Sequence, residues 1–120
     1  MSNVFNDSTM QGLEYALNSL GTRQQVIANN IANAQTPDYV SQDVSFESQL
    51  ASIFAGDSAA APTDTGTVVQ APDVTASQNG NTVGMEAQMS KMNETNLLYS
   101  ALTQLIVDRI SILKTAITGQ

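Results

Sequence analysis

The sequence predicts a mostly α fold: two long helices near the ends of the chain, each able to cover one face of the other as an antiparallel hairpin, joined by an irregular or short-β central segment. Three observations predict it. Apolar residues recur at alternating spacings of three and four near both ends, the stretch 56–82 is rich in Ala, Thr, Asp, Gly and Pro, and Pro37 and Asn79-Gly80 interrupt the chain on either side of that middle. At 120 residues there is room for a single core, so the chain divides into an N-terminal helical part (1–36), a central linker (37–82) and a C-terminal helical part (83–120) of one unit.

The first helix is expected from Ser8 to Ala34, with a seam of Met10, Leu13, Leu17, Leu20, Gln24, Ile27, Ile31 and Ala34. Ser8 followed by Gln11 is a capping-box spacing, and Pro37 disfavours helical geometry at Thr36. Gly12 and Gly21 each cost about 1 kcal/mol against Ala in a helix, so each is either a tolerated surface glycine or a point of close approach.

The second helix is expected from Val83 to Thr118. One seam runs Met85, Met89, Met92, Asn96, Tyr99, Thr103, Ile106, Ile110, Leu113 and Ile117, and beside it Leu98, Leu102, Leu105, Ile112 and Ala116 form another, with Arg109 as its charged member. A single partner helix covers only one such seam. The surplus apolar face predicts further partners, copies of the chain among them. Asn81 or Thr82 is the expected N-cap, with Glu86 in the first turn favoured by the helix dipole. Between the helices, Ser41 to Leu50 is expected to be extended, with Phe46 and Leu50 docking on the helices, and 56–82 to be a loop or at most a short hairpin around the valines Val68, Val69 and Val74.

Cys, His and Trp are absent, which removes disulfides, thiolate chemistry and the commonest general base and metal ligand. No Ser/Lys or paired-carboxylate constellation stands out in their place. Asp43 and Glu47 have helical spacing but read as a solvated face, and Met85, Met89 and Met92 as adaptable core packing rather than thioether ligands. No enzymatic activity and no cofactor are expected. The formal charge of −7 sits mostly in the middle, where residues 37–82 hold six acids and no base. Four unclustered basic residues cannot neutralise a phosphate backbone, which argues against nucleic acid. The start of the sequence has no signal-peptide pattern, and the uncharged run from Thr95 to Val107 is shorter than the roughly 20 apolar residues of a membrane span, so no transmembrane segment is expected.

The most distinctive run is Ala28-Asn29-Asn30-Ile31-Ala32-Asn33-Ala34-Gln35-Thr36-Pro37-Asp38-Tyr39. Asn is a poor helix former and a good local backbone partner, so the run fits ordinary helix termination. It also fits a register device, in which Asn29 and Asn30 bond the backbone of an adjacent chain.

The signature Asn29, Asn30, Ile31, Asn33, Thr36 and Tyr39 after a heptad helix resembles the N-terminal pattern of the flagellar rod, hook and hook-associated axial proteins. The Asp43-Val44-x-Phe46 segment, the turn Gly80-Asn81-Thr82-Val83 and the pair Asn96 and Tyr99 are most similar to the proximal-rod members of the flagellar basal-body rod family. Such proteins commonly carry Gly before the Tyr, where this chain has Asp38, a residue that also tolerates left-handed backbone. The resemblance implies that the terminal helices pair as a coiled coil lining the inner tube of the rod, a drive shaft and export channel. It further implies export through the flagellar type III apparatus without cleavage, and residence in the basal body on the periplasmic side of the inner membrane. The implied neighbours are other proximal rod proteins, the basal-body adaptor protein and the membrane-ring protein. On the seams, the expected assembly interface comprises Leu13, Leu17, Leu20, Ile27 and Ile31 of the first helix. From the second it takes Met89, Met92, Leu98, Tyr99, Leu102, Leu105, Ile106, Ile110, Leu113 and Ile117. The competing readings are another axial member, such as the C-type rod protein, and a soluble helical adaptor or export chaperone.

Overall fold

The structure is a computed structural model that describes residues 8–56 and 65–119. Helix α1 spans Ser8–Ala32, strand β1 Gln42–Ser45, helix α2 Glu47–Phe54, strand β2 Thr67–Gln70 and helix α3 Met85–Thr118. The two long helices lie antiparallel. Asn30 meets Gln88 at one end, Gln24 meets Asn96, and Thr9 and Leu13 line a cleft with Leu105 and Ile112 at the other. With α3 about 51 Å long, the molecule is a rod of 64 × 28 × 15 Å. Among the described residues, no helix is long and apolar enough to cross a membrane.

Helix α1 is helical already at Ser8, and the residue that would cap it lies outside the described residues. It ends two residues before the expected Ala34, because the Asn33 amide donates to the Asn29 carbonyl at 2.8 Å and Thr36 Oγ1 to Asn33 Oδ1 at 3.0 Å, turning the chain out of the helix. Asp38 then takes φ +61°, the left-handed conformation that Asp tolerates as expected.

The central segment departs from expectation in three ways. Extended backbone is limited to Gln42–Ser45, and the residues after it form α2, because Phe46, Leu50 and Ile53 share a helical face turned to the core. Strand β2 pairs antiparallel with β1, Val44 opposite Val68, instead of folding back on itself. Its valines are exposed, so the inward face of this ribbon belongs to β1, whose Val44 is buried. Phe46 and Leu50 dock as expected, Phe46 edge-on to Tyr15 with centroids 6.5 Å apart. The small core gathers Tyr15, Ala16, Leu20, Val26, Val44, Phe46 and Ile53 on one side of α1.

Helix α3 shows the largest correction. Its covered positions include Gln88, Met92, Thr95, Tyr99, Leu102, Ile106, Arg109 and Leu113, a line running between the two expected seams, with Ala87 and Lys91 beside it. Gln88 and Thr95 are the buried pair. Polar residues at the contact shifted the apparent apolar phase, and Met85 and Met89, expected in a core, are exposed.

The glycines divide. A Cβ on Gly12 would stand 2.2 Å from the Phe54 ring, so α1 and α2 approach closely there, whereas one on Gly21 would meet only Tyr99 at 3.9 Å. At Gly66, where β2 begins, a Cβ would fall 2.6 Å from both the Ser45 carbonyl oxygen and Phe46 Cβ. Gly21→Ala is therefore expected to raise stability by up to about 1 kcal/mol, and Gly66→Ala to lower it by about 1–3 kcal/mol. Thermal unfolding followed by circular dichroism checks both signs.

Candidate assembly interface

Asn30 is fully buried at the end of α1, where a helical amide must find partners or cost stability. Its Nδ2 donates to the Gln42 carbonyl at 2.8 Å and to Gln88 Oε1 at 3.0 Å. Its Oδ1 accepts from the Gln42 N–H at 3.0 Å and the Tyr39 hydroxyl at 3.3 Å. One side chain thus pairs both backbone groups of the first β1 residue and reaches α3. Asn30, one of the two asparagines expected to bond an adjacent chain, bonds this chain's own backbone, while the Asn29 carbonyl accepts at the helix end and its side chain is exposed.

Two side chains from the central segment close the helix ends. Asn81, expected to cap α3, instead donates Nδ2 to the carbonyls of Asn33 and Thr36 at 2.8 and 2.7 Å, satisfying the turn after α1. Thr82, the other candidate, accepts from the Ser41 N–H at 3.0 Å. Helix α3 starts from Gly84, whose N–H donates to Asp73 Oδ2 at 3.0 Å. The same carboxylate accepts from Gln88 Nε2 at 2.6 Å and Lys91 Nζ at 3.1 Å. Asp73 places a negative charge on the positive end of the helix dipole. Burial alone would raise its pKa, but the bonds from Gln88, Gly84 and Lys91 outweigh it and hold the carboxyl below its usual value.

Arg23 organises the other side. Its Nε meets Asp43 Oδ1 and its Nη2 meets Glu47 Oε1, both at 2.9 Å, while Nη2 also donates to the Val44 carbonyl and the guanidinium lies 4.8 Å over the Phe46 ring. Asp43 and Glu47 therefore converge on one cation instead of forming a solvated face. Desolvation would raise the Glu47 pKa, but the Arg23 bond and the backbone N–H groups of Phe46 and Glu47 lower it overall.

Around this frame much of α3 stays uncovered. Leu98, Leu105 and Ile112 are exposed along one flank, Met89, Ile110 and Ile117 along the other, with Ile112 and Ile117 each at 68 %. Met92, Tyr99, Leu102, Ile106 and Leu113 lie half-covered against α1. Leu13, Leu20 and Ile27 are buried within the chain, while Leu17 and Ile31 remain partly accessible.

Residues 10–39 match the family described as Flagella basal body rod protein. The chain is 34 % identical over 121 residues to the flagellar basal body rod protein FlgB of Bacillus subtilis, covering 92 % of this chain and 94 % of that protein. The chain belongs to the flagellar basal body rod protein family. The FlgB of Cereibacter sphaeroides is 34 % identical over 82 % of this chain and 85 % of its own length, and that of Yersinia enterocolitica 28 % identical over 78 % and 81 %. Family membership makes the chain a structural subunit of the basal-body rod, located in the basal body.

Four of the residues that carry the resemblance meet at one corner: Asn30, Asn33, Thr36 and Tyr39 all take part in the bonds that turn α1 into β1. The partners Gln88, Asp73 and Ser41 escaped the sequence reading, because a polar residue signals nothing until its distant partner is known. Ser41 is fully buried and donates Oγ to the Ala71 carbonyl at 2.7 Å, tying 39–41 to 71–73.

Asn30→Ala would leave the Gln42 N–H and C=O and Gln88 Oε1 without their Asn30 partner, at roughly 1–3 kcal/mol for each buried group left unpaired. The expected outcome is a large loss of unfolding free energy with early amide exchange at Gln42. Acid should act at Asp73. Its folded pKa lies below the unfolded value of about 3.9, so the stability it contributes is complete above that value and lost as pH falls through the folded one. Amide protection at Gly84 and Gln88 should fall in that window, and Asp73→Asn should abolish the pH dependence there.

Proposed function

We propose that the chain is a proximal-rod subunit whose work is packing: its hairpin is built into the wall of a tube that transmits torque and encloses an export channel. The observation that carries this reading is the pair of uncovered apolar flanks on α3, an arrangement that a chain living alone would pay for in aggregation. The core lies on one side of α1 and leaves those flanks free, while the polar corner holds the hairpin in one shape for its neighbours. The interface is assigned to Met89, Leu98, Leu105, Ile110 and Ile117, with Leu17 and Ile31 on α1. Neighbours of the kind expected are further copies, other proximal rod proteins, the adaptor at the export gate and the membrane-ring protein, reached after type III export. No reaction is assigned to the chain. The likeness to basal body rod proteins over most of the chain favours this reading over a soluble adaptor or chaperone.

Ile110→Asp tests it, because Ile110 is 48 % exposed and its replacement is expected to leave the hairpin intact. The expected outcome is a helical, folded chain that no longer co-purifies with basal bodies and no longer restores motility, since a charge would be desolvated in the packed interface. Incorporation at the wild-type level would refute the reading.

A further inference from the structure

The two flanks of α3 differ in chemistry, and they face different ways. Leu98, Leu105 and Ile112 recur every seven residues on one flank, Ile110 and Ile117 on the other. At 3.6 residues per turn, Leu105 and Ile110 point about 140° apart. Beside the first flank, α2 completes an apolar groove of about 360 Å³ floored by Leu20, Leu50, Phe54 and Leu102. Glu47, Glu94 and Arg23 line that groove; Arg23 pairs with Glu47 at 2.9 Å, so the rim keeps a net negative charge with Glu94 as its unpaired carboxylate, and the Glu47 side chain is 64 % exposed. The second flank carries Lys114, exposed and, among the described residues, in no ion pair. Glu94 is likewise exposed and in none.

We propose that the acidic-rimmed groove between α2 and α3 receives the Ile110–Lys114–Ile117 face of α3 from a second copy of this chain. The inference rests on the assembly reading and adds which surface meets which. Ile110, Lys114 and Ile117 follow the i, i+4, i+7 spacing of a single helical stripe, the form in which a helix fills an apolar groove. Lys114 then faces the Glu94 and Glu47 carboxylates, while the isoleucines cover Leu98 and Phe54. A like-on-like contact would instead set the acidic rims of two copies against each other, which is unfavourable. Because the two surfaces are different and point apart, the contact is heterologous: each copy keeps one groove and one stripe free, and the array grows instead of closing as a dimer.

The chain has no cysteine, so introduced thiols report without background. Leu98→Cys and Ile110→Cys, both at exposed positions, are expressed singly, together in one cell as two chains, and as a double variant; isolated basal bodies are then treated with a short bis-maleimide. The proposal expects no self-cross-link from either single variant, a dimer and nothing larger from the mixture, and a ladder from the double variant. A dimer from either single variant, a product with a different protein in place of the dimer, or no product from basal bodies that contain the chain would each overturn it while leaving the assembly reading in place. Absence of the unmodified chain from basal bodies would defeat both. As a second measurement, Glu94→Lys and Lys114→Glu should each lower incorporation several-fold, and combining them in one chain should restore at least half of it. Failure of the combination to recover any incorporation counts against this pairing.

Discussion

The carboxamide of Asn30 is the point through which the long helices and the central segment communicate. It sits where α1 must stop, and it uses both donors and its acceptor oxygen to hold the first β1 residue, the Tyr39 hydroxyl and Gln88 of α3. An amide serves here where a carboxylate could not, because Nδ2 has to donate to a carbonyl and to another amide oxygen. In the low dielectric of a buried site such a fully satisfied network specifies one geometry, whereas a half-satisfied one would be worse than an apolar contact. The crossing of α1 and α3, the entry angle of β1 and the position of Asp73 beside Gln88 all depend on it.

From that corner the molecule divides its tasks. Near Asn30 it is polar and heavily cross-linked, through Ser41, Asp73, Asn81 and Thr82. In the middle, a small apolar core and the Arg23 cluster hold α2 and β1 against α1. Toward the C-terminal end of α3, the partner helix covers a single line of residues. Rigidity is therefore set by hydrogen bonds at one end, while the other offers surface. In a family of rod subunits this places the shape-determining chemistry away from the apolar flanks, so that a change on a flank need not disturb the corner.

Much of this was legible in the residues. Apolar spacing located both long helices, Pro37 and the asparagines located the end of α1 within two residues, and the excess of apolar positions on α3 was correctly in surplus. What escaped were features decided by pairs of residues far apart in sequence. Gln88 faces α1 because Asn30 and Asp73 bond it, so the contact line runs through a polar residue that an apolar count skips. Helix α2 was hidden because its apolar face is only two turns long, too short for periodicity to separate from an extended strand. Asp43 and Glu47 looked solvated because the cation that joins them, Arg23, lies in α1. The asparagine signature was visible as a pattern, but whether it bonded within the chain or between chains was a question only the three-dimensional arrangement could answer.

Each long helix depends on the linker for part of its closure at this end. The carbonyls after α1 are met by Asn81, 48 positions beyond Asn33, and the first amide of α3 by Asp73, upstream in the linker. A segment comprising either helix alone would present these groups to water and fray. The cost of closing the long loop falls on the step that brings Asn81 and Asp73 into place, and both helix ends become secure in that same step. The end of α1 and the start of α3 are consequently coupled across the linker, so that loosening the segment around Asp73 and Asn81 exposes both helix ends together.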